Sequence, residues 1–336
     1  MSRKPGETWG TQRFARRAQV LRETKSVSLR MTIQFRVERM SSNSNIAKPK
    51  LACEIAADGV LAGRVNGGNT LDACAARELG PGVVVPDLVE NNLRRREAVS
   101  AGIESALSSV ASHSRDVIAI VPDASVRVMM VDFDTLPSDH EEALGVVRFR
   151  LKKSLPFDVD KAKVSFHAQK VKDEVKVVAA VGLASVVEDY EAAFRAAGFS
   201  PGVVLPSMLA ALGAADGTRP TLVVKVDAHT TSIAILNENQ LQLFRTLENS
   251  RGLTITGEQL AEEVYPSIVF FQDTYHLNIE RIYVAGLADA AAATSALRAQ
   301  TEADVQELVG ARHMAMSGGA SVPRWRMAGV VGALVS

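Results

Sequence analysis

The sequence predicts an α/β protein in which one strand–helix plan is used twice, with a small α+β unit inserted in the first copy. Three observations carry this. The length of 336 residues fits two domains of ordinary size or one large duplicated unit. An apolar strand ending in a carboxylate, then a turn and a return strand, opens at residue 51 and again at residue 221. Between the copies, residues 137–182 change to a helix followed by an alternating strand pair. No sequence identity between the halves is evident, so the repetition is one of pattern.

The elements follow in order. Residues 1–50 hold 12 Lys and Arg against 3 Glu and have no periodic apolar face. They read as a basic leader, disordered or an artefact of start-codon choice, since Met31 and Met40 also offer starts. Residues 51–56 and 60–65 flank the Asp58-Gly59 turn signal of a β-hairpin. Asn66-Gly67-Gly68-Asn69 turns into a strand at 70–76, and 82–85 closes the meander. Pro86-Asp87 then opens a helix, with Asp87 as N-cap, Glu90 completing a capping box, and Leu93, Val99, Ile103, Leu107 and Val110 facing inward. Strands are predicted at 117–121 and 126–131. In the insertion, Ser138 and Glu141 cap a helix over 143–151, Pro156 ends it, and strands at 163–170 and 174–181 pair around Lys172-Asp173.

Ser185 and Glu188 cap a helix to residue 197, followed by a strand at 203–205 and a short helix at 207–215. The second copy has strands at 221–227, 231–236 and 240–245. A long helix capped by Thr256 and Gln259 follows, and Pro266 is expected to bend or break it. A strand at 281–285 runs into Gly286. An Ala-rich helix, an ill-defined stretch and a terminal helix over 324–335 complete the chain.

Composition bounds the function. Basic and acidic residues number 38 each, but residues 51–336 alone carry 26 basic against 35 acidic. An acidic body argues against nucleic-acid binding, which needs Lys and Arg to neutralise phosphates. Two cysteines, Cys53 and Cys74, fit neither a disulfide scaffold nor a zinc site and read as reduced thiols of a cytoplasmic protein. The longest charge-free run, 196–215, is cut by Pro201, Gly202 and Pro206, so no membrane span is expected.

Most catalytic templates are missing. There is no phosphate loop with Gly-Lys-Ser/Thr, no His-Glu-x-x-His, no Gly-x-Ser-x-Gly and no dinucleotide fingerprint. The histidines at 113, 140, 167, 229, 276 and 313 never pair four apart, and Glu141-Glu142 and Glu262-Glu263 read as solvated helix faces. What remains is the turn after Glu54 and the turn after Asp227. Two facing hairpins of this kind can cradle a nucleotide's phosphates on backbone N–H groups and small hydroxyls, with the acid holding Mg²⁺ or its water. Asp227-Ala228-His229-Thr230-Thr231-Ser232 supplies an acid and three hydroxyls, although ordinary turn chemistry explains the same residues.

The layout resembles the actin-like ATPase fold, and within it the PilM family of type IV pilus assembly, over most of residues 51–336. The family's first loop falls on Glu54-Ile55-Ala56-Ala57-Asp58 and the return strand on Leu61. Its insertion signature falls on Leu155-Pro156-Phe157-Asp158 with the strand at 164–169, and its second loop on Asp227, Thr231 and Ser232 with Phe244-Arg245-Thr246. Its adenosine-side loop falls on Ala285-Gly286-Leu287 and its terminal helix on 328–334. The resemblance implies duplicated ribonuclease-H-like halves. The first comprises 51–136, 183–217 and 320–336, the second 218–319, and 137–182 is the inserted subdomain.

The resemblance also implies ATP with Mg²⁺ at Glu54, Asp58, Asp227, Thr231, Ser232 and Gly286. Departures cluster in that cleft: Ala56, Leu61, His229 and Leu287 stand where the family has Gly or Lys, and a Cβ obstructs close approach to phosphate. They imply a degenerate nucleotide site and no catalytic residues. The retained insertion signature implies a cytoplasmic scaffold that grips the N-terminal cytoplasmic peptide of a PilN-like inner-membrane protein, with the platform protein and motor ATPases as indirect partners. Val147, Arg148, Leu151, Leu155 and Phe157 are the candidate partner contacts. Leu155 and Phe157 serve equally well as anchors of the insertion's own core. The competing readings are an active actin-like or sugar-kinase-like ATP-using enzyme and a polymerising, membrane-docked division-protein type.

Overall fold

The computed structural model describes residues 35–36, 48–89, 91–111, 113–171, 174–314 and 322–336. The first half holds strands β1 (Phe35–Arg36), β2 (Leu51–Ala56), β3 (Gly59–Val65), β4 (Leu71–Glu78), β5 (Asp116–Val121) and β9 (Ser200–Pro206). Helices α1 (Arg96–Val110), α3 (Ala184–Ala196) and α4 (Ser207–Ala211) belong with them. The insertion holds β6 (Arg127–Phe133), α2 (His140–Leu151), β7 (Ala162–Val171) and β8 (Glu174–Leu183). The second half holds β10 (Thr221–Val226), β11 (Thr230–Asn237), β12 (Gln240–Glu248), α5 (Gly257–Tyr275), β13 (Arg281–Ala285), α6 (Ala290–Gln300) and β14 (Asp304–Glu307), and α7 (Ala328–Val335) ends the chain.

The duplication is explicit in the strand order. The first sheet runs β4-β3-β2-β5-β9-β1 and the second runs β12-β11-β10-β13-β14. In both, the meander of three strands is antiparallel and the next two strands join parallel to the first. Strands β2 and β10 are therefore equivalent central strands. Both are buried on both faces, which is why they read as continuous apolar runs. Asn237 closes β11, and the following Glu238 and Asn239 have φ of 51° and 58°, as a hairpin turn matching strand twist requires. Helix α7 is buried on nearly every side and packs against α4, β2 and β3, so the chain end completes the first half.

Several expectations change. Helix α1 starts at Arg96, not at Asp87. Residues 83–94 instead fold back on themselves through Val85 N to Asn92 O and Arg94 N to Val83 O, and Asp87 Oδ1 accepts from Val89 N. Glu90 and the Lys172-Asp173 turn lie outside the described residues. Asp139, not Ser138, caps α2, accepting from Glu141 N and Glu142 N, and α3 has no side-chain cap. Pro266 leaves α5 continuous because its missing N–H falls on the exposed side. Strand β6 pairs with β8, so the insertion's sheet begins at Arg127. Of the basic leader, residues 35–36 pair with Val203 and Val204 of β9 and Lys48 Nζ donates to Ser336 O at 2.6 Å, while residues 1–34 and 37–47 lie outside the described residues.

Candidate functional site

The two central strands lead to a common cleft that opens to solvent between the halves. Glu54 and the Asp58 turn line it from the first half, and Lys225, Asp227, His229 and Gly286 from the second. Trp325 and Arg326, which precede α7, line it as well.

Lys225 is the residue around which the site is built. It sits within β10, two positions before Asp227 and so on the same face of the strand. The residue is 6 % exposed. The ammonium stands 3.9 Å from Glu54 Oε1, 3.9 Å from Asp123 Oδ2 and 3.8 Å from Asp227 Oδ2. It is thus central to three carboxylates drawn from both halves and within ordinary hydrogen-bond length of none. Burial alone lowers a lysine pKa; here the three carboxylates outweigh it, so the pKa is raised and the ammonium keeps its charge.

The acids are held by their own partners. Ser207 donates a hydrogen bond to Glu54 Oε1, and among the described residues Glu54 Oε2 has no hydrogen-bond partner. Gly329 in the first turn of α7 packs on that oxygen so closely that a Cβ there would lie 2.5 Å from it. Asp123 accepts from Met208 N at 2.8 Å and from Ser232 Oγ at 3.2 Å. Burial pushes the Asp123 carboxyl up to about 6, against the pull of Lys225. Burial likewise raises Glu54, opposed by Lys225 and the Ser207 hydrogen bond. The cluster carries more acid than base, and repulsion among the acids adds to burial in raising both carboxyls.

The sequence-predicted residues divide into those that reach the cleft and those that do not. Glu54, Asp58, Asp227 and Gly286 line it. Asp58 is tied to Arg326 at 2.8 Å. Asp227 is consumed by its own turn: Oδ1 accepts from His229 N and Thr230 N at 2.8 and 2.7 Å, and Oδ2 from Thr230 Oγ1 at 2.8 Å. Gly286 has φ of 84° and donates its N–H to Trp325 O at 3.1 Å. Thr231 and Ser232 are fully buried behind the turn and do not line the cleft, which corrects their place as ligand groups. Adjacent strand residues point to opposite faces of the sheet, and both are buried because both faces of β11 are covered.

In the insertion, Val147 and Leu151 are fully buried with Ala162, Val177, Ala179 and Val181, so they have no surface for a partner. Arg148 is spent on backbone carbonyls, donating to Val159 O at 2.9 Å and Ala162 O at 3.1 Å. Leu155 and Phe157 are half-buried against the same core. The exposed apolar residues of α2 are instead Val146 and Phe149, the latter 82 % exposed. The sequence reading missed Lys225, Asp123, Ser207, Trp325 and Arg326. The signal for Lys225 was there: a lone lysine inside a six-residue strand that is otherwise apolar or buried.

A nucleotide with its divalent cation is what this class of fold implies between such strand ends. Here the Lys225 ammonium already stands among the acids. Ala56 and His229 line the cleft with side chains where glycine would leave room for close backbone approach, and Leu287 is buried after Gly286. Among the described residues no three His, Cys, Asp or Glu side chains stand close enough to hold a metal ion.

Two ribonuclease-H-like halves around a cleft, with an inserted subdomain in the first, define the actin-like ATPase fold. Among solved structures the chain is similar to a chain of the PilM–PilN type IV pilus biogenesis complex, with 20% identity, a TM-score of 0.64, and coverage of 76% of this chain and 88% of that one. The fold is therefore PilM-like. Other similar structures are the cytoplasmic domain of EpsL, an inner-membrane component of the Vibrio cholerae type II secretion system (12% identity, TM-score 0.46, 71% and 84% covered), and a Bacteroides thetaiotaomicron protein with an actin-like ATPase fold (12% identity, TM-score 0.45, 79% and 93% covered). No family model and no curated protein matches the chain. Among the described residues no helix is long and apolar enough to cross a membrane.

Proposed function

We propose that the chain is a PilM-like scaffold of a type IV pilus assembly platform. It takes the short N-terminal cytoplasmic segment of a PilN-like inner-membrane protein and is held at the membrane through that partner. The platform protein and motor ATPases are its indirect neighbours, and nucleotide hydrolysis is no part of its work. The single observation that carries this reading is the fold match, which spans 88% of a chain from the PilM–PilN complex.

The junction of the first sheet with the insertion supports it. There β9 is followed by β1 at the sheet's edge, and β1 also approaches β7, the edge strand of the insertion's sheet. Two sheet edges thus converge, and residues 35–36 are already paired antiparallel on one of them. A partner peptide would extend or replace that pair by strand addition, with main-chain hydrogen bonds giving affinity. Titration of the full chain with the N-terminal peptide of a PilN-like protein tests this. Saturable binding at micromolar peptide is expected. No binding at hundreds of micromolar, or equal binding of a scrambled peptide, would overturn the assignment.

A further inference from the structure

We propose that Lys225 is the resident interlobe cation of this protein: its ammonium takes the place of a nucleotide-bound divalent ion between the halves and bridges them without ligand. The inference concerns the cleft alone and stands whether or not the peptide reading does.

Three observations carry it. The first is position. The duplicated topology makes β2 and β10 equivalent, and Glu54 within β2 and Asp227 just after β10 come to one point, where Lys225 Nζ lies 3.8–3.9 Å from an oxygen of each and of Asp123. That spacing is too long for direct coordination of Mg²⁺, which takes oxygens at about 2.0–2.1 Å, but it suits a cation that keeps its own water shell.

The second is connectivity. Lys225 belongs to the second half, while Glu54 and Asp123 belong to the first, so the ammonium is a cross-link. Nearby contacts run the same way: Ser232 Oγ to Asp123 at 3.2 Å and Gly286 N to Trp325 O at 3.1 Å. Further out, Gln169 in the insertion exchanges two hydrogen bonds with the backbone of Leu241, at 2.9 and 2.8 Å. The halves are closed by the protein's own groups.

The third is burial. Lys225, Glu54 and Asp123 are all buried, and a charge taken from water is tolerated only when it is paired. Removing the ammonium leaves three acids facing one another, and Arg326, which also acts on Glu54, is already bound to Asp58. A lysine-free cleft therefore becomes a site that attracts an external cation.

The test is chemical rescue on the full chain with Lys225→Ala, which opens space, and Lys225→Met, which keeps the side-chain volume. The probe is Mn²⁺, read as thermal midpoint and by electron paramagnetic resonance. Wild type should show no midpoint change with Mn²⁺, with or without ATP. Lys225→Ala should melt lower than wild type and recover with Mn²⁺, by about 5 °C once the ion is some 100-fold above its dissociation constant. Lys225→Met, with the space still filled, should recover less. A folded Lys225→Ala variant that gains nothing from Mn²⁺ would overturn the proposal. So would wild type that binds Mn²⁺ in the cleft. If neither variant folds with or without Mn²⁺, the wild-type resonance measurement decides: bound Mn²⁺ refutes the proposal and its absence supports it.

Discussion

Replacing Asp123 by Asn removes one negative charge from the lysine cluster while keeping one acceptor oxygen. Asp123 is buried and its carboxyl is pushed up to about 6, with burial the first cause. An unfolded Asp titrates near 3.9, so between these values the folded state binds more protons than the unfolded one. The sign follows directly. This acid's contribution falls as pH rises from about 4 to about 6 and is level on either side. The gap of roughly two pKa units corresponds to about 3 kcal/mol at 1.36 kcal/mol per unit. Asn carries no such titration. Urea unfolding of wild type and Asp123→Asn at pH 4, 5, 6 and 7 should show the variant gaining on wild type by about 3 kcal/mol across the range, most of it below pH 6. A difference that stays flat within about 0.5 kcal/mol, or that moves against the variant as pH rises, would refute the reasoning. It would mean that Lys225 holds Asp123 ionised in spite of its burial.

Gly286→Ala should cost at least about 2 kcal/mol, because φ is 84° and a Cβ would fall 1.8 Å from Val226 O; an unchanged thermal midpoint contradicts this. Phe157→Ala should cost about 2 kcal/mol, less than the 3–5 of a fully buried ring, since Phe157 is only half-buried on the insertion's core. Urea unfolding measures it, and a variant of unchanged stability would free Phe157 for partner contact. Gln169→Ala strips both hydrogen bonds from the buried backbone of Leu241 and should cost about 3 kcal/mol in the same assay; a loss under about 0.5 kcal/mol would show that water replaces them.

The repeated plan was legible because its cause is local. Buried central strands are continuous apolar runs, and the hairpin and helix signals at Asp58-Gly59 and at Thr256 with Gln259 act within a few residues. Strand β14 was not legible, since Asp304–Glu307 has a single buried side chain and owes its conformation to pairing with β13. Helix α1 was placed too early because Asp87 satisfies a turn with the same chemistry it would use as a cap. At the site, Glu54, Asp58, Asp227 and Gly286 could be found as ends of strands and turns. Ser207, which lines the cleft, and Asp123, buried behind it, could not, because they come together only through the pairing of β5 with β9. Phe149 on α2 escaped notice for a related reason: the helix has apolar residues on both faces, and only packing decides that Val147 is inside and Phe149 outside.

The account rests on a cleft closed by the protein's own charges, with function carried by partner contact. Calorimetric titration of the full chain with Mg-ATP, paired with a phosphate-release assay, addresses that claim most directly. The account predicts no saturable heat at micromolar nucleotide and no phosphate release above the uncatalysed rate. A submicromolar dissociation constant with measurable turnover would contradict it.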